Sequence, residues 1–327
     1  MHYRSIPGLD VAVSQLALGG WLTLGDGVDD GEALKMLRAA CDAGVNMIDL
    51  ADVYAAGAAE RLVGRFLADT DRDRLVLSSK VFWPTSDDPD DRGLSRRHIH
   101  ASIDRALARL QVERLDLYYC HREDPSVPLS ETVEAMSELV RAGKIASWGT
   151  SCWQPRTLRA AHAIAREGGL VPPSVEQSPY NLLERWIEAG VAPCCEELGM
   201  ALVVFSPLAQ GALTGKYLEG RPYGSRGATT EWVDRYLQPE AERAVRLFVA
   251  FCDRRALDPA MTALAWTAQR PGVTSAILGA STLRQLEHNL AAASFLIDDD
   301  ICSELDRIFP PARQPWLRRL FRRWLRR

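Results

Sequence analysis

Eight short apolar runs, each followed by a segment with helical spacing, are the feature that most constrains how this chain can fold. The first run is Leu16–Leu18 and the last is Val273–Leu278, and no break in composition between them marks a domain linker. Such repeated strand–helix alternation favours a single parallel barrel with helices outside the strands. The rival is a doubly wound sheet, which usually carries a G-x-G-x-x-G motif after its first strand. That motif is absent here, so we predict an α/β chain folded as a (β/α)8 barrel.

Both ends of the chain add segments to this repeat. Tyr3–Ile6 and Val11–Val13, separated by Pro7-Gly8, predict a small β-hairpin ahead of the first barrel strand. Residues 311–327 differ from everything before them, because they contain seven arginines and no acidic residue. We therefore predict a barrel domain over residues 1–310 and a basic amphipathic C-terminal tail over residues 311–327.

The tail places aromatic and aliphatic residues at helical spacing, with arginine pairs between them. This pattern is typical of a short helix that lies on a membrane surface or binds an acidic partner. It also fits a segment that packs on the barrel or on a neighbouring subunit, or one that is disordered. These alternatives stay open, as does the formation of a homo-oligomer. The apolar positions are Trp316, Leu317, Leu320, Phe321, Trp324 and Leu325.

Charge and composition limit the classes of partner. The formal net charge is -4, and without the seven positive charges of the tail the remainder carries -11. An acidic body argues against nucleic acid as a partner. The sequence has no signal peptide and no apolar run long enough to cross a bilayer, and its seven cysteines lack metal-ligand spacing. We therefore predict a cytoplasmic protein without a metal site, peripheral to a membrane only if the tail binds one.

Polar residues stand at the places where predicted strands end. In a parallel barrel all of these ends lie on one face, so side chains far apart in sequence would surround one pocket. A single polar residue at such a junction is most often an ordinary loop residue. Six at corresponding places indicate an active site. They are Asp49, Lys80, His121, Ser151, Gln177 and Ser206.

A subset of these residues, joined by a nearby tyrosine, can protonate an oxygen atom. Tyr54, in the loop after Asp49, is a weak acid whose ordinary pKa is about 10. We expect the Lys80 ammonium to favour the phenolate and lower the pKa of Tyr54, while Asp49 holds and neutralises Lys80. His121 could donate a hydrogen bond to a substrate carbonyl oxygen. Cys120 precedes it, but alternation along a strand points that thiol away from the pocket.

These residues also carry a resemblance to a known family. The stretch NMIDLADVY with Asp49 and Tyr54, the segment around Lys80, and LDLYYCHRED around His121 resemble the aldo-keto reductase family. The similarity extends to about Ile308 and is greatest to the branch that contains potassium-channel β subunits and related bacterial reductases. It implies a TIM barrel that binds NADP(H) and reduces aldehydes or ketones, with these four residues as the catalytic tetrad and Tyr54 as proton donor.

The resemblance assigns further positions to the cofactor and the substrate. The segment Gly279-Ala280-Ser281 precedes a predicted helix, whose N-terminal amides suit a phosphate. The substrate would contact Trp21, Tyr54, Trp83 and His121, and Trp153 is also expected to line that aromatic pocket. The cofactor-binding positions implied are Gly20, Trp21 and Asp49 at the nicotinamide end, Ser151 and Gln177 at the carboxamide, Phe205, Ser206, Pro207, Leu208, Lys216 and Arg226 along the pyrophosphate, and Gly279, Ser281, Gln285 and Asn289 around the adenosine.

Some positions depart from the pattern of this branch. Cys152 replaces an arginine, Phe205 replaces a tryptophan and His288 replaces a glutamate near the adenine. These changes affect the expected cofactor contacts. Lys216, Ser281 and Arg284 could meet a 2′-phosphate, so the resemblance favours NADPH over NADH.

Two functions from different classes are consistent with these features. The first is an NADPH-dependent reductase that converts aldehydes or ketones to alcohols, with hydride from the nicotinamide and a proton from Tyr54. The alternative is an NADPH-binding regulatory or redox-sensing subunit with little turnover, docked to a membrane or a partner protein. His121 favours the reductase, because channel β subunits have another residue there, and the tail favours the subunit. A barrel enzyme acting on sugar phosphates is a third alternative, which the ordered tetrad disfavours.

Overall fold

A computed structural model describes residues 1–311 and confirms the (β/α)8 TIM barrel and its N-terminal hairpin. Eight parallel strands pair in chain order, and the last pairs back with the first, with Ala276 opposite Leu16. The predicted tail lies outside the described residues except for Pro311. The strands are β1 (Tyr3–Arg4) and β2 (Val13–Ser14) in the hairpin, then β3 (Leu16–Gly19), β4 (Met47–Asp49), β5 (Val76–Val81), β6 (Leu115–Cys120), β7 (Ile145–Ser151), β8 (Val175–Pro179), β9 (Ala201–Phe205) and β10 (Val273–Leu278) in the barrel.

Helices connect successive strands and surround the barrel. Polar residues cap several of them; Ser95, for example, accepts a hydrogen bond from the backbone amide of His98 at 3.3 Å. The helices are α1 (Asp30–Asp42), α2 (Ala58–Leu67), α3 (Arg96–Leu110), α4 (Leu129–Arg141), α5 (Pro155–Glu167), α6 (Val191–Leu198), α7 (Arg226–Thr229), α8 (Pro239–Arg255), α9 (Pro259–Gln269), α10 (Leu283–Leu290) and α11 (Asp299–Ile308).

The structure corrects the helix prediction in two places. The sequence pattern predicts one helix over Glu184–Leu198, but a short 3-10 helix at Trp186–Ala189 precedes α6 instead. The two are separate because Gly190, with φ of -161° and ψ of -56°, lies outside the helical region. Helix α11 was not predicted, although Asp298 caps it and its buried face follows helical spacing.

Hydrophobic side chains fill two layers, because successive residues of a strand point to opposite faces. Met47 and Val76 belong to the cluster inside the barrel, whereas Ile48 packs outward against the helices. Ile6 and Val13 join the inner cluster, so the N-terminal segment covers the end of the barrel at which the strands begin. The opposite end, where the strands finish, is left for the loops that carry the polar residues. No helix within residues 1–311 is both long enough and apolar enough to span a bilayer.

Candidate active site

The Lys80 ammonium is the centre of the polar cluster at the C-terminal end of the strands. Its Nζ donates to Asp49 Oδ2 and to the backbone oxygen of Leu50, both at 2.6 Å, and to Tyr54 Oη at 3.1 Å. Lys80 is 0% exposed and Asp49 is 3% exposed, so this ion pair is shielded from water. Asp49 and Lys80 come from adjacent strands, β4 and β5, and Tyr54 comes from the loop after β4. The structure therefore brings together the first three residues predicted for the tetrad.

The Asp49 carboxylate accepts hydrogen bonds at both of its oxygens. Oδ2 binds Lys80, while Oδ1 accepts from Ser78 Oγ and from Gln177 Nε2, each at 2.8 Å. Gln177 lies on β8, so this last bond crosses the interior of the barrel. In the strand register Gln177 stands opposite Ser151. The two residues expected at the nicotinamide carboxamide therefore lie side by side, and one of them is tied directly to Asp49.

Burial dominates the acidity of Tyr54, which corrects one expectation from the sequence. Loss of contact with water raises the pKa of Tyr54, and the nearby Lys80 ammonium lowers it only in part, so the pKa lies above its ordinary value. For Lys80, burial acts to lower the pKa, but attraction to Asp49 and Tyr54 outweighs it and the pKa is raised. At neutral pH the site therefore holds a neutral phenol beside a charged ammonium.

His121 follows β6, and its ring meets that of Tyr54 edge-on. The two ring centres are 6.2 Å apart, with the planes at 77°. Burial, together with the positive charges of Arg122 and Lys80, holds the pKa of His121 well below its ordinary value. The imidazole is therefore neutral at physiological pH, so one ring nitrogen carries a proton that it can donate. This places the fourth predicted residue beside the other three, in a form suited to hydrogen bonding.

A strained segment of backbone positions Tyr54. The 3-10 helix Tyr54–Gly57 contains Ala55 and Ala56 in the left-handed region, with φ of 48° and 50°. Residues other than glycine adopt this conformation rarely, and it clusters at functional sites. The next residue, Gly57, has φ of 80°, and a Cβ there would lie 2.8 Å from Cδ of Arg109. Close packing of this kind holds the strained turn, and with it the tyrosine, in one conformation.

The residues expected near the cofactor phosphates come together on the loops after β9 and β10. Arg226 Nη1 donates to Gln210 Oε1 at 2.5 Å, and its guanidinium lies 5.8 Å from the Trp21 ring. A Cβ built on Gly279 would lie 3.8 Å from Arg226 Nη2, so the two loops meet at that point. Within residues 1–311 no carboxylate pairs with Arg226 or Lys216. Cations without a protein counter-ion fit the phosphates of a dinucleotide such as NADP(H).

The other expected cofactor residues form local contacts on the same loops. Gln210 Nε2 donates to Ser206 Oγ at 2.7 Å, and Ser206 itself has φ of 58°. The Ser281 hydroxyl donates to Gln285 Oε1 at 2.9 Å where α10 begins, and Asn289 is buried on the same helix. The expected cofactor residues that border Ser206 at the end of β9 are Phe205, Pro207 and Leu208. Gly20 donates its backbone amide to the Asp49 carbonyl oxygen at 2.9 Å, which places Trp21 next to the polar cluster.

Aromatic rings border the polar cluster on two sides. Trp83 approaches His121 edge-on, with 6.2 Å between ring centres, as Tyr54 also does. Trp21 packs against Trp232 of the long β9–α8 connection, with 5.3 Å between ring centres. Trp21 and Trp83, both expected at the substrate, therefore lie beside the polar cluster. Trp153 lies elsewhere: it is 1% exposed and belongs to the main core.

Sequence reasoning missed several residues of this site. Arg122 sits directly after His121, with its guanidinium carbon 5.7 Å from the Trp83 ring. Gln210 links Ser206 to Arg226, and Trp232 covers Trp21. A charged residue next to His121 was visible in the sequence. The partners of Gln210 and Trp232 were not, because a loop without periodicity carries no signal for its own contacts.

Three known proteins are similar to this chain over most of its length. A probable voltage-gated potassium channel subunit beta from Oryza sativa subsp. japonica is 38% identical over 299 residues, which cover 89% of this chain and 91% of the relative. A protein of the same description from Arabidopsis thaliana is 37% identical over 303 residues, 90% of this chain and 92% of the relative. A putative channel subunit beta from Schizosaccharomyces pombe is 36% identical over 318 residues, 94% of this chain and 92% of the relative.

The sequence model of one family matches nearly all of the barrel. It is the model described as the aldo/keto reductase family, and it matches residues 15–309. The match begins in the residue before β3 and ends just after α11, so it spans every strand of the barrel. Together with relatives more than 30% identical over most of their length, this shows that the chain belongs to the aldo/keto reductase family.

Proposed function

We propose that the protein is an NADPH-dependent reductase that converts aldehydes or ketones to alcohols. One observation carries the proposal: a buried ammonium, Lys80, joins the Asp49 carboxylate to the Tyr54 hydroxyl beside a neutral His121. Neither an ion pair nor a phenol needs to be buried for stability alone, since a buried ion pair is often no better than well-packed apolar residues. A buried donor set of this kind suits proton transfer to a developing alkoxide.

Each residue of the set has a distinct role in this proposal. NADPH, when bound, supplies hydride to the carbonyl carbon, which is the chemistry of the cofactor. Tyr54 gives its proton to the carbonyl oxygen as negative charge develops there. Lys80 donates to Tyr54 Oη and so stabilises the phenolate that remains, while Asp49 compensates the ammonium. His121 donates a hydrogen bond to the same carbonyl oxygen and orients it.

The two ends of the cofactor would be held by different loops. Ser151 and Gln177, neighbours in the strand register, would hold the carboxamide, and Trp21 would border the nicotinamide ring. Lys216 and Arg226 would meet the phosphates. Because Lys216 and Ser281 would also suit a 2′-phosphate, we expect tighter binding of NADPH than of NADH, as measured by fluorescence titration of each.

Replacement of Tyr54 by phenylalanine tests the reductase proposal. Tyr54→Phe removes the proton donor and keeps the ring, so kcat for aldehyde reduction should fall by about 10²- to 10⁴-fold. The Kd for NADPH should change less than about threefold, because the hydroxyl is needed for the proton rather than for the cofactor. NADPH oxidation against a panel of aldehydes and ketones, together with a fluorescence titration, measures both. Tyr223→Phe, at a fully exposed tyrosine, is the matched control. Retention of most activity in Tyr54→Phe would contradict the assignment of Tyr54 as the proton donor.

A second candidate function is a cofactor-binding regulatory subunit with little turnover. The observation that favours it is that three relatives are named as channel β subunits. A single-turnover experiment separates the two functions: NADPH bound to the protein is mixed with an aldehyde and its oxidation is followed. Oxidation within seconds supports the reductase, and bound NADPH that persists for minutes with every carbonyl tested supports the regulatory subunit. Light scattering of the purified chain measures whether it forms an oligomer.

The C-terminal segment 311–327 is the proposed point of attachment for the regulatory function. Its seven arginines and apolar residues suit an anionic membrane surface. Co-sedimentation with anionic liposomes should therefore be stronger for the full chain than for a chain that ends at residue 310. Equal and negligible binding of the two forms would exclude a membrane role for the tail.

A further inference from the structure

Arg122 occupies a place at which a cation can act on the substrate. It is the first residue after His121, and its Nη1 donates to the His121 carbonyl oxygen. The same nitrogen also donates to Ser151 Oγ, at 3.4 Å. Its guanidinium carbon lies 5.7 Å from the centre of the Trp83 ring. One side chain thus contacts the loop of the catalytic histidine, a residue expected at the carboxamide, and an aromatic residue expected at the substrate.

The positive charge of Arg122 affects the pKa values of several groups in the site. It lowers the pKa of His121, and it also acts to lower the pKa of Tyr54 and of the Cys152 thiol. These groups lie on three different loops around the strand ends, after β4, β6 and β7. Because the Arg122 charge affects the pKa values of groups on all three loops, its positive potential extends into the space between those loops.

Arg122 stands on the side of the barrel away from the expected cofactor phosphates. The strand order places β6, which precedes Arg122, directly across the closed ring from β10. Arg226 and Lys216 lie on the β9–α8 connection, and Gly279 follows β10. The phosphate-binding cations are thus separate from Arg122. Trp83, by contrast, follows the neighbouring strand β5 and lies beside it.

We propose that Arg122 is a specificity-determining residue that binds an anionic group of the substrate. Under this proposal, which rests on the reductase function, the preferred substrates are carbonyl compounds that carry a carboxylate. A guanidinium binds a carboxylate through charge-assisted hydrogen bonds, and its position beside Trp83 suits a flat substrate between the indole and the arginine. The carbonyl of such a substrate would point to Tyr54 and His121 while the carboxylate reached Arg122.

A matched pair of substrates tests the proposal. 4-Carboxybenzaldehyde and methyl 4-formylbenzoate share the aldehyde and the ring but differ in negative charge. Wild-type kcat/KM should be about 10- to 100-fold higher for the acid than for the ester, since hydrogen bonds to charged groups contribute on that order. Arg122→Gln should bring the acid-to-ester ratio of kcat/KM close to one, mainly by raising KM for the acid. A decrease common to both substrates would report the contacts of Arg122 with the catalytic loops and would cancel in the ratio. Arg122→Lys should keep part of the preference, because it retains the charge without the fork of donors.

Controls separate a local contact from a general effect of charge. Arg97→Gln removes an exposed arginine that pairs with Asp90, near the start of α3, and should leave the acid-to-ester ratio unchanged. In wild type the ratio should fall as salt is added, because an ionic contact open to solvent is screened. A wild-type ratio near one, or an unchanged ratio in Arg122→Gln, would overturn the proposal.

The experiment distinguishes two outcomes: that the protein is not a reductase, and that Arg122 does not bind the anionic group. If wild type oxidises NADPH with neither aldehyde, the reductase function is wrong, and calorimetric binding of 4-carboxybenzaldehyde to the NADP-loaded protein then tests Arg122 directly. Binding at least about tenfold weaker in Arg122→Gln than in wild type supports the anion site. Equal Kd values in the two proteins, or no binding to either, would contradict it.

Discussion

Two residues of the site, Tyr54 and His121, keep one protonation state over a wide range of pH. Burial raises the pKa of Tyr54 above its ordinary value, so the phenol stays protonated through the neutral range. Burial and the neighbouring cations Arg122 and Lys80 keep the pKa of His121 well below its ordinary value, so the imidazole stays neutral. Each residue therefore remains a hydrogen-bond donor under conditions in which free histidine would change its charge.

These protonation states predict how the reaction depends on pH. The rate of carbonyl reduction should be nearly constant between about pH 6 and pH 9, because neither residue changes its charge in that window. Oxidation of the corresponding alcohol should accelerate with rising pH, since it needs Tyr54 as phenolate. Steady-state kcat in both directions measures this. A step in the reduction rate within the window that disappeared in a His121 variant would contradict the assignment.

At the scale of a single strand, β8 supports the site with both of its faces. Gln177 points into the barrel and donates to Asp49, while its neighbour Glu176 points outward and is fully buried. The Glu176 carboxylate accepts from Thr150 Oγ1 and from Ser178 Oγ. Burial raises the pKa of Glu176 to about 7, although these hydroxyl donors act to lower it. The strand thus carries a carboxyl group that folding prefers to keep protonated.

The stability of the barrel should therefore decrease as pH rises through this range. The folded-state pKa of Glu176 lies above the unfolded value near 4.5, so its contribution is complete at low pH and is lost as pH rises to about 7. Between pH 5 and pH 8 wild type should lose about 2 kcal/mol more unfolding free energy than Glu176→Gln, which does not titrate. Urea unfolding at both pH values measures the difference. Glu167→Gln, at an exposed glutamate, is the control and should behave as wild type.

The same elements show what sequence reasoning can and cannot reach. The site positions Asp49, Lys80 and His121 were predictable because apolar runs mark strand ends, and a parallel barrel brings those ends together. The bond from Gln177 to Asp49 was not predictable, since it depends on the register of two strands on different sides of the barrel. Helix α11 had a cap and an apolar face, but its short pattern lay beyond the repeat that guided the prediction.

At the scale of the whole molecule, Arg185 joins the end of the barrel domain to its interior. It is 3% exposed, and its Nη1 donates to Asp306 Oδ1 and to the Phe309 carbonyl oxygen, both at 2.6 Å. Its guanidinium carbon lies 5.0 Å from the Trp266 ring of α9, and its Nε donates to Glu188. The Arg185 side chain thus connects α11 to the segment after β8 and to α9.

Loss of this arginine should loosen the C-terminal helix. Arg185→Met removes a buried cation from Asp306, whose side chain is 40% exposed, and leaves the Phe309 carbonyl without its donor. The unfolding free energy should therefore fall by about 1–3 kcal/mol. Hydrogen exchange should increase most over Asp299–Ile308, as measured by mass spectrometry. Arg307→Gln, in the exposed pair with Glu304, is the control and should change stability by less than about 0.5 kcal/mol. Equal exchange in the two variants would contradict the anchoring role.

Closure of the barrel by the β3–β10 pair has a consequence for how the protein is made. Strand β3 leaves the ribosome with the first residues of the domain, whereas β10 follows only after Val273 has been added. At about 5–20 residues per second, the interval is on the order of tens of seconds. During this interval the nascent chain exposes two unpaired strand edges, which can form hydrogen bonds with strands of other chains. The yield of the protein in a cell should therefore depend on chaperones that cover those edges until the last strand arrives.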